Sequence, residues 1–156
     1  MTNFHDLYIF VNGGAFSNQR KTDEVFCYQI GVDRWARAPS MTKSRSSHSS
    51  CVLVLDLYVF GGYDENGVLL DTIERLSNVN SRVGSLDGRW ESFHIDGCRI
   101  SSPLMVPLKS EKILILGHSE PDNDFNAIVI KTRQMMKKVS LRSSLDLGNL
   151  PLFYKN

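Results

Sequence analysis

Arg45-Ser46-Ser47-His48-Ser49-Ser50-Cys51-Val52-Leu53-Val54-Leu55-Asp56-Leu57-Tyr58-Val59-Phe60-Gly61-Gly62-Tyr63-Asp64 is the stretch whose reading decides the fold. Val52 to Phe60 is apolar apart from Asp56 and rich in β-branched and aromatic side chains. That composition suits a strand buried on both faces, split by a turn near Leu55-Asp56. The run is too short and too charged to cross a membrane as a helix. Gly61-Gly62 ends the second strand, where a residue without Cβ lets the backbone adopt positive φ or touch a neighbour. Asn66-Gly67 predicts a turn. Val68 to Leu76 then reads as a third strand and Trp90 to Ile95 as a fourth. The unit is a four-stranded meander.

The unit recurs. Leu7-Tyr8-Ile9-Phe10-Val11-Asn12-Gly13-Gly14 echoes Leu57-Tyr58-Val59-Phe60-Gly61-Gly62, with the glycine pairs 48 residues apart. Ile113-Leu114-Ile115-Leu116-Gly117-His118 is a degraded third copy, with His118 at the second glycine's place. The first copy continues through Glu24-Val25-Phe26-Cys27-Tyr28 to Trp35, and the second through Leu76 to Trp90. The third continues through Ala127-Ile128-Val129-Ile130 to Met135-Met136. Self-similarity at roughly 20–50 residues marks solenoids and propellers.

These motifs resemble the kelch-repeat family. Its pattern is an Arg-x-x-His opening strand, a strand ending in Tyr-x-x-Gly-Gly, an aromatic in the third strand and a Trp opening the fourth. Arg45, His48, Tyr58, Gly61, Gly62 and Trp90 fill it in the middle copy; Gly13, Gly14, Tyr28 and Trp35 fill most of it in the first. The resemblance implies an all-β fold, a partial β-propeller of about three four-stranded antiparallel blades. The expected kelch region is 1–140, with blades at about 6–38, 44–95 and 99–140, followed by a tail at 141–156. Met1 to His5 looks too short for an opening strand, so blade one is expected to begin at its second strand. In blade three, Ser101 to Leu108 opens, and its two prolines predict an edge or irregular position. Lys109-Ser110-Glu111-Lys112 is a tight turn, and strands follow at 113–117, 125–131 and 134–140. Tyr8, Tyr28, Tyr58, Trp35 and Trp90 recur in register and are expected in the core or between blades. Propellers close with roughly four to eight blades. The flanks of so few blades therefore need covering, by a second copy, by more of a longer chain or by a partner.

Composition narrows the function. A net charge of +1 implies no strong field for nucleic acid or membrane. Three cysteines, Cys27, Cys51 and Cys98, have no paired spacing and read as buried free thiols. No secretory leader pattern or glycosylation sequon is present, so a cytoplasmic or nuclear location is expected.

The loops after the glycine pairs are the expected contact surface, because propeller loops gather on one face. They contribute Arg20 and Lys21, then Tyr63, Asp64, Glu65 and Asn66, then Asp122 and Asp124. Arg45 is a further candidate, able to grip an acidic peptide; the family resemblance instead places it and His48 where blades meet. Asp122, Asp124 and Asn126 have the alternation of a calcium loop, but Ala127 and Arg133 stand where glycine and glutamate are required. Lys131, Arg133, Lys137, Lys138 and Arg142 read as a solvated basic side. No cofactor and no catalytic residue are expected, since no Ser or Cys has a His-and-acid setting. The expected function is a non-catalytic protein-interaction module. The family resemblance implies adaptor or scaffold roles, such as substrate recognition in cullin-type ubiquitin ligases when an oligomerisation domain is attached. The alternatives are part of a propeller enzyme, an oxidase or a sugar-processing activity, or a truncated family member without independent function.

Overall fold

The computed structural model describes residues 2–4, 8–77, 79 and 88–132. They form three antiparallel sheets, each a meander in chain order. Blade one contains β1 (Thr2–Phe4), β2 (Tyr8–Asn12), β3 (Val25–Gln29) and β4 (Arg34–Ala38). Blade two contains β5 (Ser49–Leu53), β6 (Asp56–Phe60), β7 (Thr72–Leu76) and β8 (Trp90–His94). Blade three contains β9 (Ile100–Leu108), β10 (Lys112–Ser119) and β11 (Phe125–Lys131). The fold is all-β, a partial propeller, with a 3₁₀ turn at Ile30–Val32 in blade one.

The alternation of side chains explains the stacking. On β6, Leu57 and Val59 point one way and Tyr58 and Phe60 the other, and all four are buried. Leu57 and Val59 join Phe10, Val25, Cys27, Ala38, Met41, Leu76 and Val79 in the seam between blades one and two. Tyr58 and Phe60 join Ile73, Ile100, Met105, Ile113, Ile115 and Ile130 in the seam between blades two and three. The strand β6 at the middle of blade two therefore has no solvent face. The opening strands lie side by side, with β5 packed against β1 and β9.

Several expectations need correction. Blade one does have an opening strand: Thr2–Phe4 pairs with Tyr8–Phe10, because three residues suffice to start a ladder. The third strand of blade two begins at Thr72, not Val68, because the Asn66-Gly67 turn holds Val68 N–H on the Asp64 carboxylate. Trp35 is not in a seam. It lies on the outer face of blade one, 54 % exposed, with its ring 5.1 Å from that of Tyr28. Trp90 is half-buried beside the first seam and donates its indole N–H to Pro39 O at 2.7 Å.

The proline-bearing β9 is an edge of its sheet, as predicted. The degraded glycine pair turns out to be a bulge: Leu116 faces Leu104 and His118 faces Ser101, so Gly117 alone opposes Ser102 and Pro103. His118 thus stands where Tyr63 stands in blade two, not at the second glycine. Ser110 and Glu111 both take positive φ in the β9–β10 turn, the geometry of a type I′ hairpin without its usual Asn-Gly. The expected strand at 134–140 and the tail at 141–156 lie outside the described residues.

Candidate functional site: a rim of three linked loops

Each blade joins its second and third strands by a polar loop, and the three loops sit in a row. Lys21 on the first loop donates its ammonium to the Asp64 carbonyl on the second. Tyr63 on the second donates its hydroxyl to the Glu120 carboxylate on the third, at 3.0 Å. That bond raises the Tyr63 phenol above its ordinary pKa, because it favours the neutral donor. Two direct bonds therefore tie the loops into one rim.

The internal chemistry of each loop shows which side chains are committed to structure. In the first, Phe16 N–H donates to Arg20 O and Gln19 N–H to Phe16 O, both at 2.9 Å, and the Arg20 guanidinium lies 5.0 Å from the Phe16 ring centre. In the second, the Asp64 carboxylate accepts Asn66 N–H and Val68 N–H, each at 2.9 Å, so Asp64 shapes the turn. In the third, Ser119 N–H donates to Asp124 O at 2.8 Å, and His118 packs edge-on against Phe125. Arg20, Glu65, Asn66, Asp122 and Asp124 are exposed; Lys21, Tyr63 and Asp64 are partly covered by the bonds between loops.

Arg45 is no part of this surface. It is wholly buried, ion-paired to Glu74, and donates to Gly61 O at 2.9 Å and Thr72 Oγ1 at 3.4 Å. Glu74, also wholly buried, accepts Thr42 N–H at 2.7 Å. The pair clamps the linker between blades one and two onto β7. His48 lies in the same seam, its Nε2 2.7 Å from Asn12 Oδ1, and Asn12 donates to Ser50 Oγ at 3.3 Å. Burial and then the Arg45 charge push the His48 pKa down to about 4, so it is neutral at pH 7. The seam to blade three is bridged by Met105 N–H to Ser49 Oγ at 2.9 Å.

Cys27, Cys51 and Cys98 are free and buried, and burial raises their pKa to about 11, about 12 and about 12. Among the described residues no three His, Cys, Asp or Glu side chains converge as metal ligands. No helix among them is long and apolar enough to cross a membrane. Lys131 is exposed; the other members of the expected basic side, Arg133, Lys137, Lys138 and Arg142, lie outside the described residues. Glu120 opens the third of the expected contact loops, and the structure sets it opposite a tyrosine of the second.

Residues 44–77 match the Kelch motif. Over those residues the middle unit is similar to a kelch repeat. The chain is 27 % identical over 97 residues to Kelch repeat and BTB domain-containing protein 2 of Horsepox virus, covering 56 % of this chain and 17 % of that protein. It is 33 % identical over 72 residues to Beta-scruin of Limulus polyphemus, covering 42 % of this chain and 8 % of that one. It is 43 % identical over 53 residues to Kelch-like protein 21 of Danio rerio, covering 34 % and 8 %. The chain therefore spans less than a fifth of the length of these relatives.

Proposed function

We propose that this kelch-type chain is a non-catalytic protein-interaction module that holds its partner on the loop rim. The observation that carries this reading is the pair of bonds between loops, Lys21 to Asp64 and Tyr63 to Glu120, which turns three hairpins into one surface. A surface whose parts are already fixed loses less entropy on binding than three independent loops. The exposed carboxylates of Glu65, Asp122 and Asp124 make a partner segment rich in Lys or Arg the complementary one. Three buried free thiols fit a reducing compartment such as the cytoplasm. The test is affinity purification from cells with the intact chain and with Glu65→Lys, Asp122→Lys and Asp124→Lys combined. A protein retained by the first and lost from the second supports the rim; identical sets from both contradict it.

A second reading rests on the two end faces. Val11 and Phe26 on the outer side of blade one are 39 % and 37 % exposed, and Leu104 on the outer side of blade three is 56 % exposed. Two copies joined end to end would cover both faces, and the resulting blade count lies in the range of closed propellers, roughly four to eight. Sedimentation velocity tests it: a two-chain species that Leu104→Lys abolishes supports assembly, and a monomer at all concentrations contradicts it.

A further inference from the structure

The three loops of the rim are joined through two consecutive residues of the second loop. Asp64 O accepts the Lys21 ammonium from the first loop, and the Tyr63 hydroxyl donates to the Glu120 carboxylate of the third at 3.0 Å. The Tyr63 link runs through a phenol oxygen at the surface. The matching places in the other blades carry no hydroxyl: Ala15 stands 48 residues earlier, and His118 holds the position in blade three.

Tyr63 is also held differently from the other described tyrosines. Tyr8 on β2, Tyr28 on β3 and Tyr58 on β6 each lie in a strand paired on both sides. A kinase has to draw the acceptor hydroxyl into its own groove, and a central strand opens far less readily than a loop. Tyr63 lies in the loop, tied to the sheet by two backbone hydrogen bonds with Ser46, at 3.1 and 2.9 Å, and by a bridge to Leu69. The acidic residues that follow it, Asp64 and the exposed Glu65, suit a groove lined with basic residues.

The neighbours determine what a phosphate would do there. A hydroxyl that donates to a carboxylate would become a group of charge roughly −1.5 to −2 with three acceptor oxygens. It would face the Glu120 carboxylate, in a rim that also carries Asp64, Glu65, Asp122 and Asp124. The two cations of the first loop are engaged, Lys21 on Asp64 O and Arg20 over the Phe16 ring. The contact between the second and third loops thus turns from attraction to repulsion, while the Lys21 bond still joins the first loop to the second.

We propose that Tyr63 is a tyrosine-phosphorylation site and that its phosphate releases the third loop from the rim. In the transfer, Tyr63 Oη bonds to the γ-phosphorus of ATP and the bond from that phosphorus to the β,γ-bridging oxygen breaks. ADP leaves, and the phenol proton passes to a base of the kinase. The consequence for a partner rests on the rim as the binding surface; the change within the protein does not.

The test is to incubate the intact protein with the catalytic domain of a broad-specificity tyrosine kinase and magnesium ATP under native conditions. Peptide mass spectrometry locates the phosphate, and amide hydrogen exchange follows the loops. Tyr63 is expected to be modified about tenfold or more faster than Tyr8, Tyr28 or Tyr58. Exchange at Ser119, Glu120 and Asn123, whose N–H groups are bonded in and beside the third loop, should then rise about tenfold, with β6 and β7 unchanged. Tyr63→Phe, which removes the bond without adding charge, should raise it less. In Glu120→Gln the phosphate should have a smaller effect, because its repulsive partner is gone. A Tyr63 modified no faster than the strand tyrosines overturns the proposal, as does unaltered exchange in the phosphorylated protein. Slower exchange overturns it too, since it would mean that the exposed Arg99, whose carbonyl accepts Glu120 N–H, has captured the phosphate and tightened the loops. A third loop that loosens while the set of captured partners stays the same supports the site and contradicts the rim as the binding surface.

Discussion

Blades one and two are two copies of one unit in different surroundings, and the difference shows what such a unit requires of its neighbours. Val59 in blade two is fully buried; Val11, its counterpart, is 39 % exposed. Glu74 is buried against Arg45, while Phe26 at the matching place borders an empty cavity. Gly62 is pressed against Ser46 and His48, while Gly14 faces open space. The backbone repeats faithfully because its hydrogen bonds are internal to the sheet. Side-chain burial does not repeat, because it is supplied by the next sheet. Stability in this architecture is a property of seams more than of blades.

Paired substitutions at matching positions break or sharpen this comparison. The largest difference is expected at the acids. Glu74→Ala leaves Arg45 buried and unpaired and costs about 3–5 kcal/mol, whereas Glu24→Ala removes an exposed pair worth about 0–1 kcal/mol. Urea titration of both variants reads the contrast, and equal losses would contradict the assignment of Arg45 to the interior. Next come the apolar positions. Leu57→Ala is expected to cost about 2–5 kcal/mol and Ile9→Ala distinctly less, because only Leu57 leaves a closed cavity.

The seam also titrates. His48 has a folded pKa of about 4 against 6.5 unfolded. The unfolded chain therefore binds its proton first as pH falls. The contribution of His48 is intact above about pH 6.5 and is lost on going down towards pH 4, by about 3 kcal/mol in total. Unfolding free energies between pH 7 and pH 4 should show this slope in the native protein and less of it in His48→Gln. The smallest of these effects is at the glycines. Gly62→Val meets Ser46 O and takes φ +79, and should cost about 1–3 kcal/mol or somewhat more. Gly14→Val keeps the backbone strain at φ +110 but has no clash, and should cost less.

The repeat was legible because its signals are local. The near-continuous apolar run from Val52 to Phe60, the glycine pairs and the Asn66-Gly67 turn announce strands and corners without reference to the rest of the chain. The exposure of Trp35 was not legible, since a tryptophan in register says which face it is on and not whether anything covers that face. The same holds for Arg45: the Arg-x-x-His spacing marks it, but its burial depends on Glu74, 29 residues away. The β1 strand was missed because three residues carry too little pattern to register. The rim was half legible. Its loops followed from the repeat, while the Tyr63–Glu120 bond joins residues 57 apart whose only sequence sign is their place in successive copies.

Thiol labelling across one strand tests the central claim most directly. Phe26 and Cys27 are neighbours on β3, one 37 % exposed on the bare face and the other fully buried in the seam. In a Phe26→Cys variant, native-state reaction with a disulfide reagent, resolved by peptide mass spectrometry, should modify position 26 promptly. Cys27, Cys51 and Cys98 should react only as the protein unfolds. Cys27 reacting as fast as position 26 would show that blade two does not cover blade one, and would contradict the stacked arrangement.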